Sequence, residues 1–260
     1  MRQYVWRACY ELLASQVPAP DWALMNYGYA PLSATDETPG LEPADEADRL
    51  SIQLYARVLQ HVDLHDKDVL EVGSGRGGGA SYLSRYRAPR AVTGLDFSQR
   101  AVQLSRQHRR ATGLTFTQGD ALAMPFPDSS FDAVVNVESS HCYTSMATFL
   151  AEVDRVLRPG GSFCFADLRD TAGVESLEAE FRASGLTVLE QADITAGVLE
   201  ALRLDNARKL GLIDDLIPRV LHRPFRAFAG IEGTRNYAGF VTGRLRYVSA
   251  LLTKPAPANA

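Results

Sequence analysis

The sequence predicts an α/β fold, a doubly wound and mostly parallel sheet with helices on both faces. Three observations carry that expectation. From Asp68 to about Gln191, short apolar runs alternate with amphipathic helical patterns, as in successive β-α-β units. Two of the runs, Ala133-Val134-Val135 and Phe163-Cys164-Phe165-Ala166, are apolar throughout, as strands covered on both faces must be. The first run also leads straight into a glycine turn, Glu71-Val72-Gly73-Ser74-Gly75-Arg76-Gly77-Gly78, and then a helix start.

Taken in order, residues 1–43 form a mixed preamble with Trp22 and Asn26-Tyr27-Gly28-Tyr29, expected to be an N-terminal helical lid. A helix is predicted over 44–61, because Leu50, Leu54, Val58 and Leu59 recur on one face. Strands are predicted at 68–72, 91–95, 114–118, 131–137, 161–167 and 186–191, with helices at 78–86, 98–111, 145–157 and 173–184. Ser98 is the expected N-cap after the second strand. Arg158-Pro159-Gly160-Gly161 is expected to stop the 145–157 helix, because proline cannot continue it and glycine accepts the reversed backbone. Residues 192–234 break the alternation and carry Leu210, Ile213, Leu216, Ile217, Val220 and Leu221 at helical spacing, which predicts a helical cap insert before the last strand. The apolar stretch 246–252 supplies that strand, and the Pro/Ala tail at 255–260 is expected to be disordered. The expected division is a lid segment (1–43), a core (44–191), a cap (192–234) and a closing helix and strand of the core sheet (235–254).

Composition narrows the function. A net charge of −4 provides no overall basic field for nucleic acid. The three cysteines, Cys9, Cys142 and Cys164, show neither metal nor redox spacing, and no apolar run is long enough to span a bilayer. The expectation is a reduced, cytoplasmic protein without a bound metal.

The ligand of the glycine turn is ambiguous at first, since Gly73-x-Gly75-x-x-Gly78 also fits a dinucleotide fingerprint. Ligands of open parallel sheets sit at the carboxyl ends of strands, so the residue after each strand matters. Asp96 follows the second strand, placed to accept from two ribose hydroxyls. Asp120 follows the third and could accept from an adenine amino group, which a pyrophosphate site has no need of. Glu71 lies two residues before the first glycine, where it would repel pyrophosphate but tolerate a cationic sulfonium carrying an ammonium group.

Several segments then stand in a telling order across roughly residues 50–170. They are Glu71 to Gly77, Gly94-Leu95-Asp96-Phe97-Ser98, Gly119-Asp120-Ala121 with Pro125-Phe126, Phe131-Asp132, and Leu157-Arg158-Pro159-Gly160-Gly161. Together they resemble the class I S-adenosylmethionine-dependent methyltransferases, a Rossmann-like family. Asn26-Tyr27-Gly28-Tyr29 and Asn136-Val137-Glu138-Ser139-Ser140-His141-Cys142-Tyr143 are similar to tailoring methyltransferases of bacterial polyketides and lipids, including phthiotriol-type O-methyltransferases and relatives of the sterol and tocopherol enzymes. The resemblance implies S-adenosyl-L-methionine as cofactor. Gly73 and Gly75 would pass its methionine part, with Glu71 near the ammonium. Asp96 would hold the ribose, Phe97 would lie against the adenine, and Asp120 with the Ala121 N–H would face the adenine edge. Asn136 would offer its backbone carbonyl to the ammonium, and Tyr27 would belong to the lid.

On the substrate side, methyl transfer to a hydroxyl is helped by a general base. His141, four residues beyond the fourth strand, is the candidate, since an imidazole titrates near neutral pH. Asp167, ending the fifth strand, could orient the ring or bind a substrate hydroxyl, and Glu138 could do either. The apolar and basic cap points to a largely apolar small molecule, with an acyl-carrier protein or a lipid surface as two candidate partners. The expected activity is O-methylation of an enol, phenol or alcohol. Its rivals are C-methylation of an aromatic or prenylated ring, and a non-methylating use of the same fold such as cyclisation.

Overall fold

Five parallel strands and an antiparallel pair make one sheet. A computed structural model describes residues 22–256. Its strands are β1 (Asp68–Val72), β2 (Ala91–Asp96), β3 (Leu114–Gln118), β4 (Phe131–Val137), β5 (Leu157–Asp170), β6 (Thr187–Asp193) and β7 (Leu245–Thr253). They lie in the order β3-β2-β1-β4-β5-β7-β6, parallel from β3 to β5, with β7 antiparallel to both β5 and β6. The helices are α1 (Arg49–Leu59), α2 (Gly78–Tyr86), α3 (Gln99–His108), α4 (Met146–Val156), α5 (Thr171–Ala183), α6 (Thr195–Leu216), α7 (His222–Phe228) and α8 (Arg235–Val241).

Strand alternation sorts the core into two layers. Val69, Val135, Cys164 and Ala166 face Leu54, Leu59, Leu83 and Val102 of α1 to α3, joined by Val198 and Leu202 of α6. Leu70, Val134, Phe163 and Phe165 face Phe149, Val153 and Phe181 of α4 and α5. Both faces are therefore sealed, which is what apolar runs without a polar alternate require. A third cluster, Trp22 with Ile213, Ile217, Phe225 and Ile231, builds the cap from α6, α7 and the chain before α1.

The structure departs from expectation at identifiable places. The first helix begins at Arg49, because Pro43–Asp48 winds as a 3₁₀ turn. Residues 22–42 run without a helix, and the rest of the expected lid, before Trp22, lies outside the described residues, as do 257–260 of the tail. β5 starts at Leu157, which pairs with Phe131, and the register then jumps to Ala133 opposite Ser162. Arg158 to Gly161 is thus a bulge in a long strand. Gly160 sits there at φ 80°, its N–H donating to the Lys254 carbonyl at 2.8 Å. Among the described residues no helix is long and apolar enough to cross a membrane.

Candidate active site

The sheet order reverses direction between β1 and β4, which opens a crevice at their carboxyl ends. The glycine turn after β1 is closed by β2. The Gly73 and Ser74 N–H groups donate to the Leu95 carbonyl (2.8 and 3.0 Å), and the Gly75 N–H donates to Asp96 Oδ2 (2.7 Å). The other oxygen of Asp96 accepts from the Ser98 N–H at 2.8 Å, while Ser98 caps α3 as expected. Gly73 has φ 77°, and a Cβ there would fall 2.3 Å from Ser139 Oγ, so only glycine lets the loop after β4 close onto the turn.

A cavity of about 280 Å³ lies over this turn. Its floor includes Gly73, Gly75, Asp96, Asp120 and Ala121; Phe97, 43% exposed, stands at one side. Asp120 lies on the lining with Oδ1 accepting from the Leu122 N–H at 2.9 Å. Ala23, Leu24, Met25 and Asn26 form the front wall, and Val137, Glu138 and Tyr143 the far one.

Glu71 is buried beneath the turn, with Oε1 accepting from the Tyr55 hydroxyl at 2.6 Å. Burial pushes its carboxyl up to about 7, against the Tyr55 and Ala80 hydrogen bonds that favour the charged form. Glu71 Oε2 and Asn136 Oδ1 are buried acceptors without a hydrogen-bond partner among the described residues. They lie just beneath the cavity lining, and their negative end favours a ligand that brings positive charge and N–H donors to this side of the cavity. The residues present therefore fit S-adenosylmethionine: acceptors for an ammonium beneath the turn, a carboxylate beside the crevice for hydroxyls, and an exposed aromatic for the base.

Beyond the far wall, the 3₁₀ turn Ser140–Cys142 carries His141. Its Nδ1 lies 2.8 Å from Asp167 Oδ1, and its backbone N–H donates to Asp167 Oδ2 at 2.8 Å. Oδ2 also accepts from Ser140 Oγ (2.6 Å) and lies 3.1 Å from Arg169 Nη1. Burial disfavours charge on both members. The attraction between them outweighs it, holding the His141 imidazole well above its ordinary value and, with Arg169, the Asp167 carboxyl well below. His141 keeps 22% of its side chain exposed and stands outside the cavity, next to Cys142 on its lining.

Glu138 lies on the cavity wall at φ 52°, a strained conformation for a non-glycine residue. Its Oε2 accepts from the Tyr27 N–H (2.8 Å) and the Tyr247 hydroxyl (3.0 Å). Burial raises this carboxyl to about 7, with the Tyr27 N–H and His141 pulling the other way.

Two expected contacts sit elsewhere. The Tyr27 side chain lies behind the front wall, its ring edge-on to Phe240 and its hydroxyl accepting from Asn236 Nδ2 at 3.1 Å. Asn136 lies under the turn rather than on the cavity lining, its Nδ2 donating to the Val72 carbonyl (3.0 Å) and Ser139 Oγ (2.7 Å). Sequence reasoning missed Tyr55, Tyr143, Tyr247 and Lys209. Tyr55 and Tyr247 had no signal beyond being tyrosines beside apolar residues; Tyr143 closed the segment that begins at Asn136, and Lys209 was a lysine inside the apolar pattern of the cap.

A seven-stranded sheet of this order, with a buried acid under its glycine turn and carboxylates at the carboxyl ends of β2 and β3, defines a class I methyltransferase that uses S-adenosylmethionine. Residues 70–165 match the family model described as a methyltransferase domain. The phthiotriol/phenolphthiotriol dimycocerosates methyltransferase of Mycobacterium tuberculosis is 41% identical over 250 residues, 96% of this chain and 92% of that one. The fatty-acid O-methyltransferase of Mycolicibacterium smegmatis is 38% identical over 258 residues, covering 98% and 91%. In fold, the chain is similar to the cyclase SpnF (TM-score 0.69, 20% identity, 96% and 95% covered). It is likewise similar to geranyl diphosphate methyltransferase in complex with SAM (TM-score 0.63, 17% identity, 90% and 99% covered). The chain belongs to the S-adenosylmethionine-dependent methyltransferase family that includes the two mycobacterial enzymes.

Proposed function

We propose that this methyltransferase acts on a hydroxyl of a largely apolar lipid or polyketide-like molecule, with His141 as general base. The observation that carries this reading is the contact of His141 with the buried Asp167 at 2.8 Å, beside a cavity wall that presents Glu138. The activities named for the two mycobacterial relatives support a lipid-type substrate. When bound, the cofactor supplies an electrophilic methyl on a sulfonium. Glu71, Gly73 and Gly75 would hold its amino-acid end, Asp96 its ribose, and Phe97, Asp120 and Ala121 its adenine. The Asn136 backbone and the lid segment at Tyr27 close the two sides.

Asp167 occupies Nδ1 of His141, which fixes the ring and leaves Nε2 as its remaining basic atom. A substrate hydroxyl between Glu138 and His141 is oriented by the carboxylate and loses its proton to the imidazole. Because the pair raises His141, the basic form grows only as pH rises through that raised value, and turnover rises with it. The apolar cap cluster and the exposed Arg219 and Arg223 support a long substrate presented by an acyl-carrier protein or a lipid surface.

The test uses hexadecanediol and hexadecanoate with S-adenosylmethionine, following S-adenosylhomocysteine release and the product methyl signal by NMR. The expected diol product shows a methoxy signal, and His141→Ala slows it by ~10²-fold or more. Hexadecanoate is already ionised, so any methylation of it is expected to survive His141→Ala. A carbon-bound methyl signal, or diol turnover indifferent to His141→Ala, would sink the proposal.

A further inference from the structure

We propose that Lys209, from the cap helix α6, is a positioning residue for the Glu138 carboxylate and acts through the backbone of Tyr27. This rests on the reading above, in which Glu138 meets the substrate hydroxyl.

Lys209 is 6% exposed, on a face of α6 that buries Val198, Ala201, Leu202 and Ile213 together with one acid, Asp205, a turn earlier. Its Nζ donates to the Tyr27 carbonyl at 3.3 Å, lies 5.9 Å from the centre of the Tyr27 ring, and is 3.8 Å from Asp205 Oδ2. A buried ammonium is costly unless its partners compensate, and burial pulls this one below its ordinary value. An apolar side chain would fill the same space without that cost. What the ammonium adds is a charge partner for the buried Asp205, which Arg208 also pairs, and a donor to one carbonyl. The same residue then offers its own N–H to Glu138 Oε2 at 2.8 Å, so Tyr27 is gripped by the cap on one side and grips the carboxylate on the other.

Glu138 needs such a grip. At φ 52° its backbone persists only if its surroundings over-determine it. Tyr27 and Tyr247 both donate to Oε2, and among the described residues Oε1 accepts no hydrogen bond, which leaves it for the cavity side. Asn236 of α8, just beyond the cap, adds a second contact to Tyr27 through its hydroxyl, at 3.1 Å. The seating of the cap thus reaches the group that orients the substrate, which gives the cap a say in turnover beyond the shape of the pocket.

Three full-length variants test this: Lys209→Met, nearly the same shape without a donor; Lys209→Gln, a neutral donor of similar reach; and Lys209→Asn, a neutral donor too short to reach. The Glu138 carboxyl is followed by infrared difference spectroscopy against Glu138→Gln across its titration, which needs no substrate. Lys209→Met and Lys209→Asn should shift the Glu138 band and its hydrogen bonding, and Lys209→Gln should restore the band position. With hexadecanediol, kcat should fall about 10- to 100-fold in the Met and Asn variants and recover in Gln, with calorimetric affinity for S-adenosylhomocysteine held within about threefold. An unshifted band in Lys209→Met, or Gln as impaired as Asn, overturns the inference; should Lys209→Met fail to fold, the Gln and Asn comparison decides alone. If the wild type does not turn over hexadecanediol, the hydroxyl reading fails, and the infrared comparison still decides the role of Lys209.

Discussion

Replacing Asp167 with asparagine keeps the outline of the side chain and removes its charge. The carboxyl is fully buried, and Oδ1 accepts from His141 Nδ1 and the Leu168 N–H, both at 2.8 Å. Oδ2 accepts from Ser140 Oγ (2.6 Å) and the His141 N–H (2.8 Å), with Arg169 Nη1 at 3.1 Å. An amide has one acceptor oxygen, so whichever way it turns, donors on one side face an NH₂. An unmet buried donor costs ~1–3 kcal/mol, and stranding the partner charges brings the expected loss to ~3–5 kcal/mol. The pH dependence has a definite sign. Asp167 is depressed in the folded state, so its contribution is present above the ordinary aspartate value near ~4 and fades only in strong acid. His141 is raised, so its share is complete below the ordinary imidazole value near ~6.5 and disappears as pH climbs through the raised one. Both refer to one pair and count once. Urea midpoints for wild type and Asp167→Asn, taken near pH ~5.5 and again in the alkaline range, should show the larger gap at the lower pH. A loss under ~1 kcal/mol, or a gap that does not shrink with pH, would refute the charged-pair argument.

Three further outcomes are expected. Asp96→Asn cannot satisfy both the Gly75 and Ser98 N–H groups, and calorimetry should find S-adenosylhomocysteine bound about 10- to 100-fold more weakly; unchanged affinity would remove Asp96 from the ribose site. Glu71, raised to about 7 by burial, must lose a proton to meet a cation, so affinity for S-adenosylmethionine should weaken by up to about tenfold per pH unit below that value and flatten above it, and Glu71→Gln should abolish the slope. Gly73→Ala places a Cβ 2.3 Å from Ser139 Oγ on a backbone at φ 77°, and should lower stability by ~1–3 kcal/mol; an unaltered thermal midpoint would mean that the loop after β4 yields freely.

The cofactor half of the molecule was legible because chemistry and local pattern coincide there. β1, β3 and β4 fall at the predicted bounds, Gly73 and Asp120 follow strands and Asp96 ends one, so placing the strands places the crevice. The Asp167–His141 contact matches one of the two readings of Asp167, orientation of the ring, because His141 follows β4 and Asp167 lies on the adjacent β5. Asp167 does not end that strand, which runs on to Asp170. What escaped depends on pairing between distant segments. α4 ends at Val156, just before Arg158 to Gly161, as that helix stop requires, but the Lys254 carbonyl and the register with β4 also draw the segment into β5. Tyr55 reaches Glu71 from 16 residues away, Tyr247 reaches Glu138 from 109, and Lys209 reaches Tyr27 from 182. No local periodicity encodes such meetings. Asn136 is an intermediate case: a polar residue within an apolar strand announces a buried hydrogen-bond network, though not which carbonyl it serves.

The antiparallel pairing of β6 with β7 has a bearing on how such enzymes diversify. Neighbouring antiparallel strands need only a two-residue connection, yet here everything from Ile194 to Arg244 lies between them. The sheet would close without that excursion, so its length and sequence are open to change while the parallel half keeps its ligand. The freedom has a limit at one lysine. A foreign excursion without a donor at the position of Lys209 would leave the Tyr27 carbonyl unmet, so chimaeras between relatives should exchange residues 22–30 and 194–244 together. In inheritance as in engineering, those two stretches form one exchangeable part.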